Sequence, residues 1–294
     1  MTSFGWCPVL VLALGAAIAQ AAERGIYTLV DGDARVLRGA TWYTLAPGVR
    51  AEEGDVVDVG ERAQAQLEFA QGGALNMQGP ALAYAIALPA AGDKAGAPVE
   101  IALERGWFKA AAVARARALR LRLPNATVDL DGAIAVVHGD AALAEVFLER
   151  GGARIGIPVV RGKEAAPRDA KEGEFWRRAG DRAFTADERA PAEFVAAMPR
   201  DLREALPALA GRHAGPAPSL VAAQPITFDE ARPWLAGPMR RIFARRFMAR
   251  LSDPAFRAAA GAAHPIPEWD RILHPEKYRP KPPDETPASA AAAR

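Results

Sequence analysis

Cysteine, serine and histidine are scarce in this sequence of 294 residues. Cys7 is the one cysteine, and it lies in an N-terminal apolar run. None of the four serines stands in a G-x-S-x-G elbow, and the sequence contains neither an HExxH motif nor a phosphate-binding P-loop. We therefore expect no disulfide scaffold, no serine hydrolase chemistry and no nucleotide binding. The sequence predicts a protein that is not an enzyme and that has no cofactor.

Two groups of potential metal ligands are weak. The first comprises His264, Glu268, Asp270 and His274. Prolines between and beside these residues prevent a regular helical spacing of ligands. The second, Asp129 with Asp131, lacks the later oxygen ligands and the terminal glutamate of a calcium loop. No metal site is predicted.

Charge of one sign is not in large excess, because 37 basic and 35 acidic residues leave a formal net charge of +2. Domains that bind nucleic acids usually concentrate positive charge strongly, so we predict no nucleic-acid partner. Hydrophobic residues make up 50% of the chain. This share is typical of a folded chain of one or two domains and excludes wholesale disorder.

The first 22 residues carry no charge. Their apolar run from Pro8 to Ile18 has the length of the hydrophobic part of a secretory signal and is too short to span a membrane. Small residues at Ala19 and Ala21 fit cleavage after Ala21. We predict a signal peptide over residues 1–21, a periplasmic location, and no transmembrane segment after cleavage.

Residues 22–158 contain short apolar alternations separated by glycine and aspartate turns. A period of two residues indicates strands, and no run with the period of a helix competes with it. We predict an all-β domain of about ten short antiparallel strands, folded as a sandwich, roll or solenoid. The predicted hairpins join Tyr27–Val30 to Ala34–Leu37, and Gln66–Phe69 to Ala74–Met77.

A recurring layout of turns and alternating apolar residues runs through this β domain. It begins with a G-x-v-x-v strand at Gly32–Leu37 and a W-x-x-L-x-x-G segment at Trp42 and Leu45–Gly48. A GD-x-v-x-t segment follows at Gly54, Asp55, Val57 and Val59. The layout ends with an alternating stretch that contains Ala65, Leu67, Phe69, Gly72, Leu75, Gly79 and Pro80. This layout resembles the FecR-type periplasmic domain, named for a regulator of iron-citrate uptake. Later segments at Leu103–Phe108 and Pro124–Val128 are also similar to that domain. The match fails at Leu130–Ala133, where many relatives have Val-Arg-Gly-Thr.

The resemblance covers roughly residues 25–157 and implies a sensing or scaffolding domain in the periplasm. It implies structural roles for Trp42, Gly54 and Asp55. The signalling members of the family also have a cytoplasmic sigma-factor-binding module and a transmembrane helix, which this sequence does not show. We therefore expect a stand-alone exported form, in which the C-terminal half has no counterpart in the family.

The second half of the chain changes character. Residues 159–190 are rich in charge and are predicted to form a linker, or a helix across the β domain, with Phe175 and Trp176 as anchors. Residues 191–279 show the period of helices, most strongly from Asp229 to Leu251. Residues 280–294 consist largely of proline and alanine and are predicted to be disordered. The complete chain is therefore predicted to be α+β.

Five arginines and no acidic residue lie between Met239 and Arg250. At about 100° per residue, Arg240, Arg241 and Arg245 fall on one outward arc of a helix. These three are the candidate binding residues, either as a solvated face or as a site for phosphates or carboxylates. Arg246 falls on the apolar side, where it is predicted to play a structural role and to pair with an acid.

The sequence favours a non-enzymatic module that binds, senses or scaffolds in the cell envelope. Its expected partner is an envelope protein or an anionic envelope polymer. One alternative is a carbohydrate-active or peptidoglycan-acting enzyme with a pair of acids, because the separation of two carboxylates has no sequence signature. A second alternative is a soluble regulator of a membrane signalling partner.

Overall fold

The computed structural model describes residues 23–91, 93, 97–114, 118–158, 166–237, 239–263 and 266–278. The predicted signal peptide and the predicted disordered tail lie outside these residues. The strands are β1 Gly25–Asp31, β2 Ala34–Arg38, β3 Thr41–Thr44, β4 Val56–Val59, β5 Gln64–Phe69, β6 Ala74–Ala87, β7 Val99–Ala111, β8 Leu119–Arg122, β9 Thr127–Leu130, β10 Ile134–Gly139, β11 Leu143–Arg150, β12 Ala153–Gly156, β13 Arg168–Ala170, β14 Phe175–Ala179, β15 Thr185–Asp187 and β16 Val221–Pro225.

Helices are concentrated in the C-terminal part of the chain. They are α1 Ala192–Ala197, α2 Phe228–Ala236, α3 Arg240–Arg246, α4 Pro254–Ala262 and α5 Asp270–Leu273, with 3-10 turns at Arg200–Arg203, Ala210–His213, Met248–Ser252 and Pro275–Tyr278. The predicted fold class, a β domain followed by a helical region, is confirmed. None of the helices within the described ranges is long and apolar enough to cross a bilayer.

The long strands β6 and β7 belong to both halves of a sheet that rolls over on itself. The start of β6 pairs with β5 and its end pairs with β4, while β7 pairs with β8 at its start and with β10 at its end. We call the half that contains β1, β5, β10, β11, β14 and β15 the first sheet. We call the half that contains β2, β3, β4, β8, β9, β12, β13 and β16 the second sheet.

Glycine is required where β6 bends between the two sheets. A Cβ atom on Gly79 would lie 1.7 Å from the carbonyl oxygen of Gly60, which is an overlap that no side chain can relieve. On the facing strand, Gly106 has a φ of 113°, a conformation that L residues with side chains rarely adopt. The pairing of β6 with β7 shifts in register at this point. These two positions allow both strands to continue from one sheet into the other.

The main core lies between the two sheets. Its side chains come from alternate positions of strands in both halves, as a period of two dictates, and include Tyr27, Leu67 and Leu75 from one side and Val36, Val57 and Leu121 from the other. Each large aliphatic side chain buried there contributes about 1.5 to 3 kcal/mol to folding. The core that the alternation predicts is therefore one shared interior.

One predicted hairpin is confirmed and the other is wrong. Strands β5 and β6 pair in antiparallel fashion around the turn at Gly72 and Gly73. Strand β1 does not pair with β2, because it pairs with β5, and β2 pairs with β3 and β4. The turn after Asp31 carries the chain from the first sheet to the second. The local sequence of a tight turn does not distinguish these two outcomes.

The predicted linker over residues 159–190 is wrong for its described part, residues 166–190, which contains β13, β14 and β15. Strand β14 pairs with β11 and with β15, and so extends the first sheet. Phe175 and Trp176 are buried and anchor β14, as the sequence analysis predicted for these two residues. The charges mislead because only Arg177 of this strand is exposed, whereas Arg178 is buried and donates to the backbone carbonyl oxygens of Asn125 and Arg182.

Helices cover the outer faces of both sheets. On the first sheet, Phe194 of α1 packs with Met198 and Leu202 against Val136 and Phe175. On the second sheet, α2, α3 and α4 bury an apolar cluster against strand residues; this cluster includes Leu37, Trp42, Val56, Tyr84, Trp234, Phe243, Phe247 and Trp269. The helical region therefore shares its core with the second sheet.

The single long helix suggested from Asp229 to Leu251 is interrupted. Helix α2 begins with a capping box, in which Thr227 and Glu230 exchange hydrogen bonds with each other's backbone N–H groups, and it ends at Gly237. Helix α3 starts at Arg240 and gives way to a 3-10 turn after Arg246. The break turns α3 so that Phe243 and Ala244 face the second sheet.

Candidate functional site

The arginines of α3 are positioned by two buried neighbours. Phe243 and Ala244 are completely buried, so the register of the short helix against the second sheet is set. This register directs Arg241 and Arg245 to solvent and Arg246 toward the sheet. Ile242 is 49% exposed, although the apolar periodicity from Asp229 to Leu251 would place it on the inward side of the helix.

Among the described residues, Arg246 binds backbone carbonyls and not an acid. Its guanidinium donates to the carbonyl oxygens of Leu37 at 2.6 Å, of Gly39 at 2.5 Å, and of Gly54. These carbonyls belong to the end of β2 and to two turns, so one side chain ties α3 to three points of the second sheet. Burial lowers the pKa of Arg246, while nearby Tyr84 and Asp55 oppose that shift. The predicted acid partner is therefore wrong, because open turns of the sheet offer this arginine acceptors without a carboxylate.

Arg240 lies apart from the other two candidate binding residues. Its Nε atom is 3.3 Å from the carboxylate of Glu268, and it lines a different depression, together with Phe228, Leu235 and Ile266. The structure therefore does not bring the three predicted arginines together. The outward arc contains Arg241 and Arg245 only.

Arg241 and Arg245 form a basic surface with Ile242. Together with Arg246 they line a shallow depression of about 300 Å³. Both arginines are exposed, and neither forms an ion pair or a side-chain hydrogen bond within the described part of the chain. We call these three residues, Arg241, Ile242 and Arg245, the arginine surface. Two unpaired guanidinium groups beside an aliphatic side chain can bind a phosphate or carboxylate that carries an apolar neighbour.

Asp55, one of the residues predicted to be structural, is completely buried. Arg38 donates to its two carboxylate oxygens at 2.9 and 2.7 Å, and the backbone N–H of Glu52 donates at 2.9 Å. The hydroxyl group of Tyr27 lies 3.4 Å away. Burial and the Asp55 charge raise the pKa of Tyr27 well above its usual value, so this hydroxyl stays neutral. The carboxylate thus holds the turn before β4 against β1 and β2.

Gly54 and Trp42 were also predicted to be structural. Gly54 lies in the turn before β4, and Trp42 lies in β3. Gly54 has a φ of 92°, and its carbonyl oxygen accepts from Arg246. Trp42 is buried under the helices, and the guanidinium of Arg35 stacks 4.1 Å above its ring. Arg35 also pairs with Glu230 of α2 at 2.9 Å. Although burial opposes ionisation, hydrogen bonds from Thr227 and Arg35 lower the pKa of Glu230.

The sequence analysis missed Lys109, which is buried in β7. Its ammonium group lies 2.7 Å from the carboxylate of Glu149 and donates to the carbonyl oxygens of Leu202 at 3.0 Å and Glu204 at 2.8 Å. A single lysine inside an apolar strand was the available signal, because a buried charge needs partners. Its partners lie far away in the sequence and were not accessible to pattern analysis.

Metal ligands are not grouped in the described ranges, since no three His, Cys, Asp or Glu residues there are placed to hold an ion together. Asp129, which the sequence analysis weighed as a calcium ligand, pairs with Arg120 at 2.6 Å. Glu268 pairs with Arg240, and Asp270 pairs with Lys277 at 3.0 Å. These acids have basic partners, and each pair connects neighbouring segments.

Comparison with known proteins gives limited similarity. No family model matches the chain, and no curated protein matches it in sequence. Two crystal structures of a protein assigned as an anti-sigma factor from Parabacteroides distasonis are similar to 48% of this chain, with 12% sequence identity and a TM-score of 0.39. The matched region spans 63% and 62% of those chains. The chain thus covers less than two thirds of their length.

Proposed function

We propose that this protein is a non-enzymatic binding module of the cell envelope, of the FecR type and located in the periplasm. It engages an anionic envelope polymer, or an acidic protein, through the arginine surface. One observation carries this proposal. Arg241 and Arg245 have no partner among the residues that the structure describes, although the neighbouring arginines 240, 246 and 250 all have one. Unpaired guanidinium groups on a fixed helix are available to a ligand.

The rigidity of the surface supports this proposal. Arg246 ties α3 to three carbonyls, and Phe243 is completely buried beneath it. A ligand therefore meets guanidinium groups on a preorganised helix, so less backbone freedom is lost on binding.

The placement of the FecR-like motifs supports the proposed family. The GD unit provides the positive φ at Gly54 and the buried carboxylate at Asp55, and Trp42 lies in the apolar cluster beneath the helices. These are scaffold roles, which agree with a sensing or scaffolding domain.

Co-sedimentation with isolated peptidoglycan sacculi, and with vesicles of anionic phospholipid, tests the binding function. We expect the mature chain to bind one of these probes, and the affinity to fall as salt rises, because exposed charges act through screened attraction. Arg241→Ala combined with Arg245→Ala should weaken binding about tenfold, which corresponds to about 1.4 kcal/mol.

The matched control is Arg189→Ala with Arg200→Ala, which removes the same charge from exposed positions near the other outer face. The control should bind as the unmodified chain does. An equal loss of binding in both double variants would mean that binding depends on the total charge of the protein and not on the arginine surface. Failure to bind either probe would reject an anionic polymer or lipid as the ligand.

The envelope location has its own test. N-terminal sequencing of protein recovered from the periplasm should begin at Ala22, because the predicted cleavage follows Ala21. Protein that begins at Met1 or Thr2 and remains in the cytoplasm would contradict both the location and the proposed family.

A further inference from the structure

A second surface of the molecule is covered by a segment of its own chain. Residues 204–215, which we call the covering segment, cross the outer face of the first sheet between Arg200–Arg203 and β16. None of residues 203–225, a stretch that the structure describes without a gap, is buried. The covering segment therefore contributes no side chain to an apolar core, and polar contacts hold it in place.

Side chains of the sheet bind the backbone of the covering segment. Lys109 donates to the carbonyl oxygen of Glu204 at 2.8 Å, and Gln66 donates to that of Pro207 at 2.8 Å. The carboxylate of Glu68 accepts from the N–H groups of Leu209 at 2.7 Å and Ala210 at 3.2 Å.

Arg50, which precedes the first sheet's β5 in the chain, continues the same pattern. It donates to the carbonyl oxygens of His213 at 3.0 Å and Gly215 at 3.1 Å. These contacts are made to backbone groups, both in the irregular stretch 204–209 and around the 3-10 turn Ala210–His213. One side chain of the segment adds a contact, because the ring of His213 lies 3.1 Å from the carbonyl oxygen of Thr28.

The sheet face beneath the covering segment is polar. Gln66, Asn76 and Lys109 lie opposite one another on β5, β6 and β7, and all three are buried. Thr28 and Gln78 are also buried here. Buried polar groups normally satisfy their hydrogen-bonding capacity, but Oε1 of Gln66 has no donor in the described part of the chain. The covering segment thus leaves one acceptor of this face unused.

From these contacts we propose that the outer face of β1, β5, β6 and β7 is a docking site for a peptide segment of a partner protein, which it binds through backbone groups, and that the covering segment occupies it as an internal substitute. The partner segment replaces the covering segment, uses the same donors and acceptors for its backbone, and donates in addition to Oε1 of Gln66. This site is distinct from the arginine surface and does not depend on the function proposed for it.

Exchange is favoured because release of the covering segment exposes mainly polar groups to water and withdraws no fully buried apolar side chain, since Leu206 and Leu209 are only partly buried. By contrast, detachment of the helices on the second sheet would expose Phe243, Phe247 and Trp269, which are completely buried. Release of the covering segment therefore requires less free energy than detachment of the helices from the second sheet. A sheet face made of amides, a lysine and a carboxylate also remains soluble when it is uncovered.

The test uses the full mature chain and a fluorescent peptide with the sequence of residues 204–215. Leu209→Pro with Ala210→Pro removes both N–H groups that Glu68 accepts, and so weakens the covering segment without altering the sheet. We expect this variant to bind the labelled peptide at least tenfold more tightly than the unmodified chain, as measured by fluorescence anisotropy. Adding Gln66→Ala to the variant should abolish the gain.

Two controls accompany the measurement. Ala205→Pro with Ala208→Pro introduces the same number of prolines at N–H groups for which no bond is found among the described residues, and this chain should bind as the unmodified chain does. A peptide with proline at the positions of Leu209 and Ala210 should not bind. If the first variant fails to fold, replacement of residues 204–215 by a glycine–serine stretch of equal length provides the opened face.

Two outcomes would overturn the proposal. Equal peptide affinity for the opened and unmodified chains would mean that the covering segment is only a structural connection. A dimer of the unmodified chain that excludes the peptide, seen by size-exclusion chromatography, would mean that a second copy exchanges its own segment into the face.

Discussion

Arg246→Ala provides a direct test of how α3 is fixed to the second sheet. The guanidinium donates to carbonyl oxygens of Leu37, Gly39 and Gly54. A hydrogen bond that involves a charged group contributes about 1.5 to 3 kcal/mol, but three bonds from one side chain are not additive. The carbonyls at this partly exposed edge also regain water when the side chain is removed. We therefore expect a loss of about 2 to 4 kcal/mol in the free energy of unfolding, including the lost packing of the stem.

Urea unfolding followed by circular dichroism at neutral pH measures this loss. Arg245→Ala is the matched control, because Arg245 lies on the same short helix and has no partner among the described residues. A surface substitution of this kind changes the free energy of unfolding by about 0.5 kcal/mol or less.

Arg246→Lys separates charge from geometry. A lysine ammonium is a compact donor that cannot reach three diverging carbonyls as a planar guanidinium does, so we expect it to restore less than half of the lost stability. If Arg246→Ala and Arg245→Ala unfold at the same urea concentration with the same slope, the three carbonyl bonds contribute nothing. In that case α3 is held by Phe243 and Phe247 alone.

Two further predictions concern the β domain. Burial raises the pKa of Glu104, and nearby Arg105 opposes this shift. The folded state therefore favours the neutral carboxyl group over the charged one. Its contribution to the free energy of unfolding is fully present below the pKa of the unfolded chain and is lost as the pH rises through the pKa of the folded chain. Glu104→Gln should therefore raise the free energy of unfolding at pH 7 and leave it unchanged near pH 3, and a gain at both pH values would contradict this reasoning. Gly79→Ala should strongly destabilise the fold, because its Cβ would overlap the carbonyl oxygen of Gly60, whereas Gly211→Ala, with no atom within 4 Å of the added Cβ, should be close to neutral in thermal melts.

Strand positions were accessible to sequence analysis because alternation is a local property. The apolar residues of Val56–Val59 and Gln64–Phe69 point alternately into the core, as a period of two requires. Pairing order was not accessible, because each strand presents similar edges to several partners. The turn at Gly32 shows this clearly, since its sequence fits a hairpin while the chain uses it to pass between sheets.

The candidate site was predictable in part. The inward phase of Arg246 followed from its spacing relative to Phe243, because residues three apart share a helix face. Its partners did not follow, since the choice between an acid and open carbonyls depends on which turns lie opposite. The separation of Arg240 from the arginine surface was also unpredictable, because Glu268 approaches it from a segment 28 positions away.

The sequence by itself determined the order of a β half and a helical half, the turn that needs glycine at position 54, and the scarcity of nucleophiles and metal ligands. These properties depend on residue type and on short periods, which do not require knowledge of the fold. Only the tertiary structure decided that β6 and β7 join two sheets, that Arg246 binds carbonyls, and that residues 204–215 cover a polar face. Each of these depends on contacts between distant parts of the chain, where many partners are chemically acceptable and the packing of the whole molecule selects one.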